Sequence, residues 1–414
     1  MGEVVDRDDQ KTEASLKTAR REPGSEDVFR VLTYNAISPQ GLARLPADRY
    51  TVGAGLDDPD AILLRSADLH QVAIATSVKA IGRAGAGVNN IPVDAMSRRG
   101  VPVFNAPGAN ANAVKELVLA GMLLAARNIC QAWDYVRGLD GEDANLAGAI
   151  EAGKKRFVGF ELPGRTLGVV GLGAIGVEVA NAALALGMRV AGFDPDITVQ
   201  RAWQLSSGVE QAPSLEALFA RADLVSLHVP LVEATRGLVD AKRLELLPSG
   251  AVLLNFAREG IVDAAAVSAA LDSGRLGSYV CDFPHAGLKD HPRVIALPHL
   301  GASTHEAEQN CAVMVAENLR EYLENGNIRH SVNFPETWMP RDEGYRVAVA
   351  NANVPSMVGQ ISTAMADAGL NIADLINKSR GEVAYTLLDL DLPLPEETMK
   401  RIKAIDGVLS VRRL

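Results

Sequence analysis

Gly171, Gly173 and Gly176 stand in the spacing G-x-G-x-x-G. That spacing suits a backbone that must turn tightly and let a pyrophosphate come close. Gly171 permits the turn, Gly173 leaves room for phosphate, and Gly176 lets the next helix pack against its strand. The free N–H groups and positive dipole end of that helix then face the phosphate charge. Asp194 follows Gly176 by eighteen residues. A carboxylate there accepts from ribose hydroxyls and repels a 2′-phosphate, so NAD is expected rather than NADP. Further on come His228, Arg258, Asp282 and His299, each just beyond an apolar run. A guanidinium grips carboxylate or phosphate with two parallel hydrogen bonds. An imidazole titrates near neutral pH and can take a proton. Taken singly these residues have plainer explanations. Arg258 could pair with Glu259 or Asp263, and a loop histidine is commonly a surface or packing group.

The elements needed to position them are visible around the glycines. Leu167–Val170 reads as a buried strand, Val177–Leu186 as a helix and Arg189–Phe193 as a second strand. The rhythm continues with a helix at Ser214–Ala220, Ser214 serving as its N-cap. Strands follow at Asp223–Leu227, Ala251–Asn255, Tyr279–Cys281 and Val294–Leu297. Ahead of the glycines, strands are expected at Val28–Tyr34, Ala61–Leu64 and Val101–Phe104, with apolar runs at Ala73–Thr76 and Ala80–Ile81. Arg65, Arg83 and Asn110 follow such runs. Strands alternating with helices make a parallel α/β sheet, and such sheets meet ligands at the carboxyl ends of their strands. Ala113–Ala126 reads as an apolar helix. From Tyr345 onward the order is βαββαβ, the ferredoxin-like pattern, with helices on one sheet face and free edge strands that a second copy could pair.

Length and charge bound the rest. At 414 residues, two or three domains are expected. A net charge of −10 argues against a nucleic-acid partner. Cys130, Cys281 and Cys311 form no CxxC pair, so a reduced, cytoplasmic protein is the simple expectation. There is no apolar run of membrane-spanning length and no signal-like segment at the start, and nothing points to a metal. Residues 1–27 are charged and read as a loosely attached arm.

The motifs RAGAGVNNIP, NAPGANANAVKE, VVGLGAIG with Asp194, LHVP, NFAREGIVD, PHLGAST and VNFP occur in one order. By these the chain resembles the D-2-hydroxyacid dehydrogenases from about Arg30 to Leu414, and its last segment resembles an ACT domain. The resemblance implies two doubly wound, Rossmann-like parallel sheets plus a βαββαβ ACT domain. Its implied layout is a substrate domain (28–127 with 305–335), an NAD domain (128–304), a linker (336–343) and a regulatory domain (344–414).

The implied activity is oxidation of 3-phospho-D-glycerate to 3-phosphonooxypyruvate with NAD, the first step of the phosphorylated route to serine. A smaller acid of the glycerate or glyoxylate class, or a non-catalytic NAD-sensing scaffold, are the alternatives. His299 matches the family base and Arg258 the arginine that holds the substrate carboxylate. Substrate contacts match Arg65, Ser66, Arg83, Ala84, Gly85, Ala86, Val88 and Asn110. Cofactor contacts match Val114, Ala174, Ile175, His228, Val229, Pro230, Thr235, Phe256, Ala257, Asp282, Gly301 and Ala302, beside the glycines and Asp194. Serine-effector positions match Asn351, Asn353 and Asn371, and a homodimer or homotetramer is implied. One departure stands out: the family glutamate that holds the base falls at Gly287, and Asp290 is the nearest carboxylate in sequence.

Overall fold

The computed structural model describes residues 28–139, 143–341 and 344–414; the expected arm at 1–27 lies outside them. The chain divides into two compact units. One is the chain up to Ala109 together with Glu308–Leu414, and the other is Asn110–Ala307.

The first unit holds two sheets. One has five parallel strands, β1 (Phe29–Thr33), β2 (Tyr50–Gly53), β3 (Ala61–Leu64), β4 (Ala80–Arg83) and β5 (Val103–Phe104), ordered β2-β1-β3-β4-β5. β3 is buried along its whole length, as its continuous apolar run demands. The order reverses between β1 and β3, so Arg65 and Ser66 leave β3 at the switch point. Asn35, just past β1 and left-handed at φ 66°, accepts there from the N–H groups of Ser66 and Ala67 at 3.0 and 2.7 Å.

The second unit carries seven parallel strands, β6 (Thr166–Val170), β7 (Arg189–Phe193), β8 (Val209–Gln211), β9 (Leu224–Leu227), β10 (Ala251–Asn255), β11 (Leu276–Cys281) and β12 (Val294–Ala296). Their order is β12-β11-β10-β9-β6-β7-β8. The order reverses between β6 and β9, which puts Gly171 and His228 at the switch point. On one face of this sheet lie α1 (Ala111–Ala126) and α2 (Ala174–Ala185), with Val114, Val118, Val177 and Ala180 in one core; Leu218, Leu244 and Val267, from three later helices, pack on the other face. Ser214 caps its helix as expected, accepting from the Ala217 N–H at 3.1 Å. The helix α3 (His305–Asn325) begins as the chain re-enters the first unit.

The last sheet comprises β13 (Tyr345–Ala352), β14 (Ile372–Arg380), β15 (Val383–Leu390) and β16 (Val408–Arg413), ordered β14-β15-β13-β16 and antiparallel throughout. Helices α4 (Met357–Asp367) and α5 (Glu396–Lys403) cover one face. The other face is not left open. Ala348, Ala350, Tyr385 and Leu387 share a core with Tyr322 and Leu323 of α3 and with Phe334. Arg346, with a fully buried side chain, pairs with Asp389 at 2.7 Å and also donates to the carbonyls of Met339 and Asn325. The expected linker is therefore packed as far as Arg341: Thr337 and Ile328 exchange backbone hydrogen bonds.

Candidate active site

The glycine turn leaves β6 with Gly171 at φ 91°, where a Cβ would lie 2.7 Å from the His228 carbonyl oxygen. A Cβ on Gly176 would lie 1.9 Å from the Gly171 carbonyl oxygen, so only glycine lets α2 start here. A Cβ on Gly173 would meet nothing within 4 Å, because this glycine faces open space at the N-terminus of α2. Asp194 is tied back to the same turn. Its carboxylate accepts from the Leu172 N–H at 2.7 Å and from the Asp196 N–H at 2.9 Å. An open glycine turn at a helix N-terminus with a carboxylate beside it suits a pyrophosphate and an adjacent ribose. Ala174 and Ile175 open α2.

Beside the turn, the His228 Nε2 lies 2.8 Å from the buried Ser226 hydroxyl. Desolvation pushes the imidazole down to about 4, so it is neutral near pH 7. Val229 and Pro230 continue the loop. The Thr235 hydroxyl donates to the Pro230 carbonyl at 2.5 Å, so its one proton is held locally rather than aimed at a phosphate.

The reactive end lies at β10, β11 and the loop after β12. Asn255 donates to the Arg258 carbonyl at 2.9 Å and accepts from the Ala257 N–H, fixing the turn after β10. Phe256 is buried against the position of Gly121 on α1. Arg258 bonds to neither Glu259 nor Asp263. It donates to the Ala257 carbonyl at 2.6 Å, while Asp263 caps the following helix. Arg258 also lies over Phe283, its guanidinium carbon 5.2 Å from the ring centroid. The His299 ring packs on the same Phe283, centroid to centroid 4.3 Å. One aromatic ring thus touches both groups. Residue type alone gave no sign of this role, because a phenylalanine after a strand reads as core.

Asp282 joins the cluster. Its carbonyl accepts from the His299 N–H at 2.9 Å and its Oδ2 from the Gly301 N–H at 3.3 Å. Desolvation raises its carboxyl above the usual range, while His299, the Gly301 N–H and Arg258 pull it back down. Oδ1 is buried and has no hydrogen-bond partner among the described residues. An orphaned acceptor costs about 1–3 kcal/mol, so it fits a missing donor such as a carboxamide N–H. Val114 on α1 lies against Gly301, 3.3 Å from the position of its Cβ. Ala302 follows in the same loop. Asn110, at the start of this unit, has a buried Oδ1 that is likewise orphaned. Asp290 does not replace the missing glutamate: it pairs with Lys289 at 2.6 Å, and the Gly287 N–H donates to His285. The carboxyl on which His299 acts is that of Asp282, which it pulls down against desolvation.

In the first unit the basic groups are held differently. Arg65 pairs with Glu308 at 2.6 Å. Arg83 donates to the Arg65 carbonyl at 3.0 Å. Its guanidinium lies where a Cβ on Gly85 would come within 2.2 Å, so a side chain there would have to displace it. The loop is further fixed by Ala84 N–H to Leu64 O at 2.7 Å and Asn105 to Ala86 O at 2.6 Å. Val88 packs on this unit's second core. The three asparagines of the antiparallel domain are not brought together within one chain. Asn351 pairs in register with Ala384, whereas Asn371 precedes Ile372, which pairs with Leu390 at the other end of the sheet. Asn353 donates to the Gly381 carbonyl at 3.0 Å, on the Asn351 side.

The sequence model described as the D-isomer specific 2-hydroxyacid dehydrogenase NAD binding domain matches residues 119–301. The D-3-phosphoglycerate dehydrogenase of Haemophilus influenzae is 34% identical over 348 residues, covering 81% of this chain and 81% of its own. The chain belongs to the D-2-hydroxyacid dehydrogenase family. The enzyme of the same name from Methanocaldococcus jannaschii is 36% identical over 347 residues, covering 81% of this chain. The chain spans 62% of that relative's length. The fold is shared with NAD+-bound 3-phosphoglycerate dehydrogenase of Entamoeba histolytica, at TM-score 0.58 and 24% identity, over 74% of this chain and 99% of that one. NAD is the cofactor of this domain, and the glycine turn, Asp194 and the orphaned Asp282 oxygen fit it. No helix among the described residues is long and apolar enough to cross a membrane.

Proposed function

We propose that the chain oxidises 3-phospho-D-glycerate to 3-phosphonooxypyruvate with NAD, the entry step of the phosphorylated route to serine. The observation that carries the reading is the cluster of Arg258, Asp282, Phe283 and His299 at adjoining strand ends, in a chain related to D-3-phosphoglycerate dehydrogenases.

NAD, when bound, supplies the acceptor for hydride from C2. The chain supplies the rest. His299 takes the C2 hydroxyl proton, which must leave as the carbonyl forms. Arg258 binds the substrate carboxylate and stabilises charge on the developing carbonyl oxygen, for which a planar guanidinium is well shaped. Phe283 holds both in place, which a glutamate at position 287 would otherwise help to do. Asp282 offers its free oxygen to the carboxamide and its charge to the protonated His299. Arg65, Ser66, Arg83 and the loop to Val88 take the phosphate-bearing end, with Asn110. The antiparallel domain is read as regulatory, with L-serine as effector. Because Asn371 lies away from Asn351 and Asn353, that site needs two copies of the chain, in keeping with a homodimer or homotetramer.

The substrate assignment is tested by comparing kcat/KM for 3-phospho-D-glycerate and D-glycerate. A preference for the phosphorylated acid of more than about tenfold is expected from charge-assisted contacts. Equal rates, or a preference for glycerate, contradict it. Serine titration tests the regulatory reading, which an unchanged rate together with no detectable binding would overturn.

A further inference from the structure

The first unit carries a second set of cations that this reaction does not use. They line a cavity of about 770 Å³ bounded by the starts of β1 and β4, the end of α3, and α5 and β16. Arg49, Lys79, Arg341, Lys403, Arg412 and Arg413 face it, against one carboxylate side chain, Glu324. It lies away from the substrate residues of this unit. Lys79 precedes β4 and Arg83 ends it, so the parallel-strand rise separates the two by about 13 Å.

The charges do not cancel. Glu324 is shared among Arg49 at 3.0 Å, Arg320 at 3.1 Å and the Tyr50 hydroxyl at 2.8 Å. Lys79 pairs with Asp60 at 2.8 Å and Arg413 with Glu396 at 2.9 Å. The remaining three have no carboxylate partner among the described residues. Arg341 donates to the Glu324 carbonyl at 2.7 Å, and Arg412 donates to the Leu323 carbonyl at 2.9 Å while stacking on Tyr322. Lys403 has neither ion pair nor hydrogen bond among the described residues. Three cations without a side-chain carboxylate partner among the described residues share one concavity and repel each other. Apolar surface from Phe29, Met399 and Val411 completes the lining.

We propose that this cavity binds a small organic polyanion, a molecule with two or more carboxylate or phosphate groups on a short carbon skeleton. Its anionic groups neutralise Arg341, Lys403 and Arg412, and its carbons lie on the apolar patch. The volume falls within the range of small-molecule sites. Because the lining comes from both sheets of the first unit, the bound anion ties the antiparallel domain to the parallel one and stabilises their union.

The test uses the full chain, with citrate and pyrophosphate as probes in calorimetry and thermal unfolding, against chloride at matched ionic strength. Saturable binding of one equivalent at this site and a raised Tm are expected with at least one probe, and the tighter probe identifies the preferred head group. Lys403→Gln and, separately, Arg341→Gln each weaken that binding about tenfold, which corresponds to about 1.4 kcal/mol. Arg258→Gln leaves it in place, which separates it from anion binding at the reactive cluster. An effect matched by chloride, binding indifferent to both Lys403→Gln and Arg341→Gln, or binding lost in Arg258→Gln would overturn the proposal.

Discussion

The two parallel sheets treat their strand ends in opposite ways. Along the strand ends of the second unit's sheet the chain leaves acceptors and space unfilled: Gly173 faces open space at the β6–β9 switch point, and Asp282 Oδ1, just past β11, is buried without a partner among the described residues. At the β1–β3 switch point the functional groups are already engaged, Arg65 with Glu308 and Arg83 with the Arg65 carbonyl. A cofactor that stays bound through chemistry rewards a rigid cradle. An anionic substrate that must come and go meets cations held in place by weak, exposed partners, since such pairs contribute only about 0–1 kcal/mol.

That contrast can be broken where the cradle is tightest. Gly176→Ala puts a Cβ into the Gly171 carbonyl. It should abolish NAD binding in calorimetry and lower stability by about 1–3 kcal/mol; a variant that binds NAD normally refutes the role given to this turn. Next in size is Arg258→Gln, expected to lower kcat/KM by about 10²–10³-fold with NAD affinity kept. Phe283→Ala should lower kcat by about 10-fold with little change in KM, and Phe283→Tyr should restore most of it. A KM effect alone would mean that Phe283 only shapes the pocket.

Asp282→Asn sharpens the electrostatic side of the comparison. Replacing the carboxylate that accepts from the Gly301 N–H and carries a free buried oxygen should lower kcat/KM by about 10-fold with the fold kept. An unchanged kcat/KM would deny Asp282 a part in the site. Stability should follow pH through His228. Its pKa is lowered to about 4 in the fold from an ordinary value of 6.5, so the unfolded chain binds more protons between those values. Stability is full above about pH 6.5 and is lost as pH falls toward 4, by at most about 3 kcal/mol, and less because the ring keeps some solvent contact. His228→Gln should flatten that slope in urea titrations. The smallest effect belongs to the substrate side, where Glu308→Gln frees Arg65 and should change KM for the phosphorylated acid by only a few-fold.

The strands that position the site were legible because buried parallel strands must be continuous apolar runs, as at Ala61–Leu64, Arg189–Phe193 and Ala251–Asn255, where the expected bounds match. β2 (Tyr50–Gly53) was missed, since an edge strand with exposed Thr51 carries no such run. Gly171, Gly176 and Asp194 could be read because their function depends on backbone shape, which glycine spacing encodes. Phe283 and Asn35 could not, because their importance comes from contacts across the fold. Helices were expected on one face of the antiparallel sheet, and its other face is covered too: Tyr385 and Leu387 alternate with residues that pack on α4 and α5, so the strand is apolar on both faces.

The most direct test of the account is NADH formation from 3-phospho-D-glycerate, with the product removed by a coupled enzyme, for the unaltered chain and for His299→Ala. Turnover that falls by about 10²–10⁴-fold in the variant while NAD still binds is expected. An unaltered chain that binds NAD without turning over this acid, or a variant that keeps full rate, would contradict it.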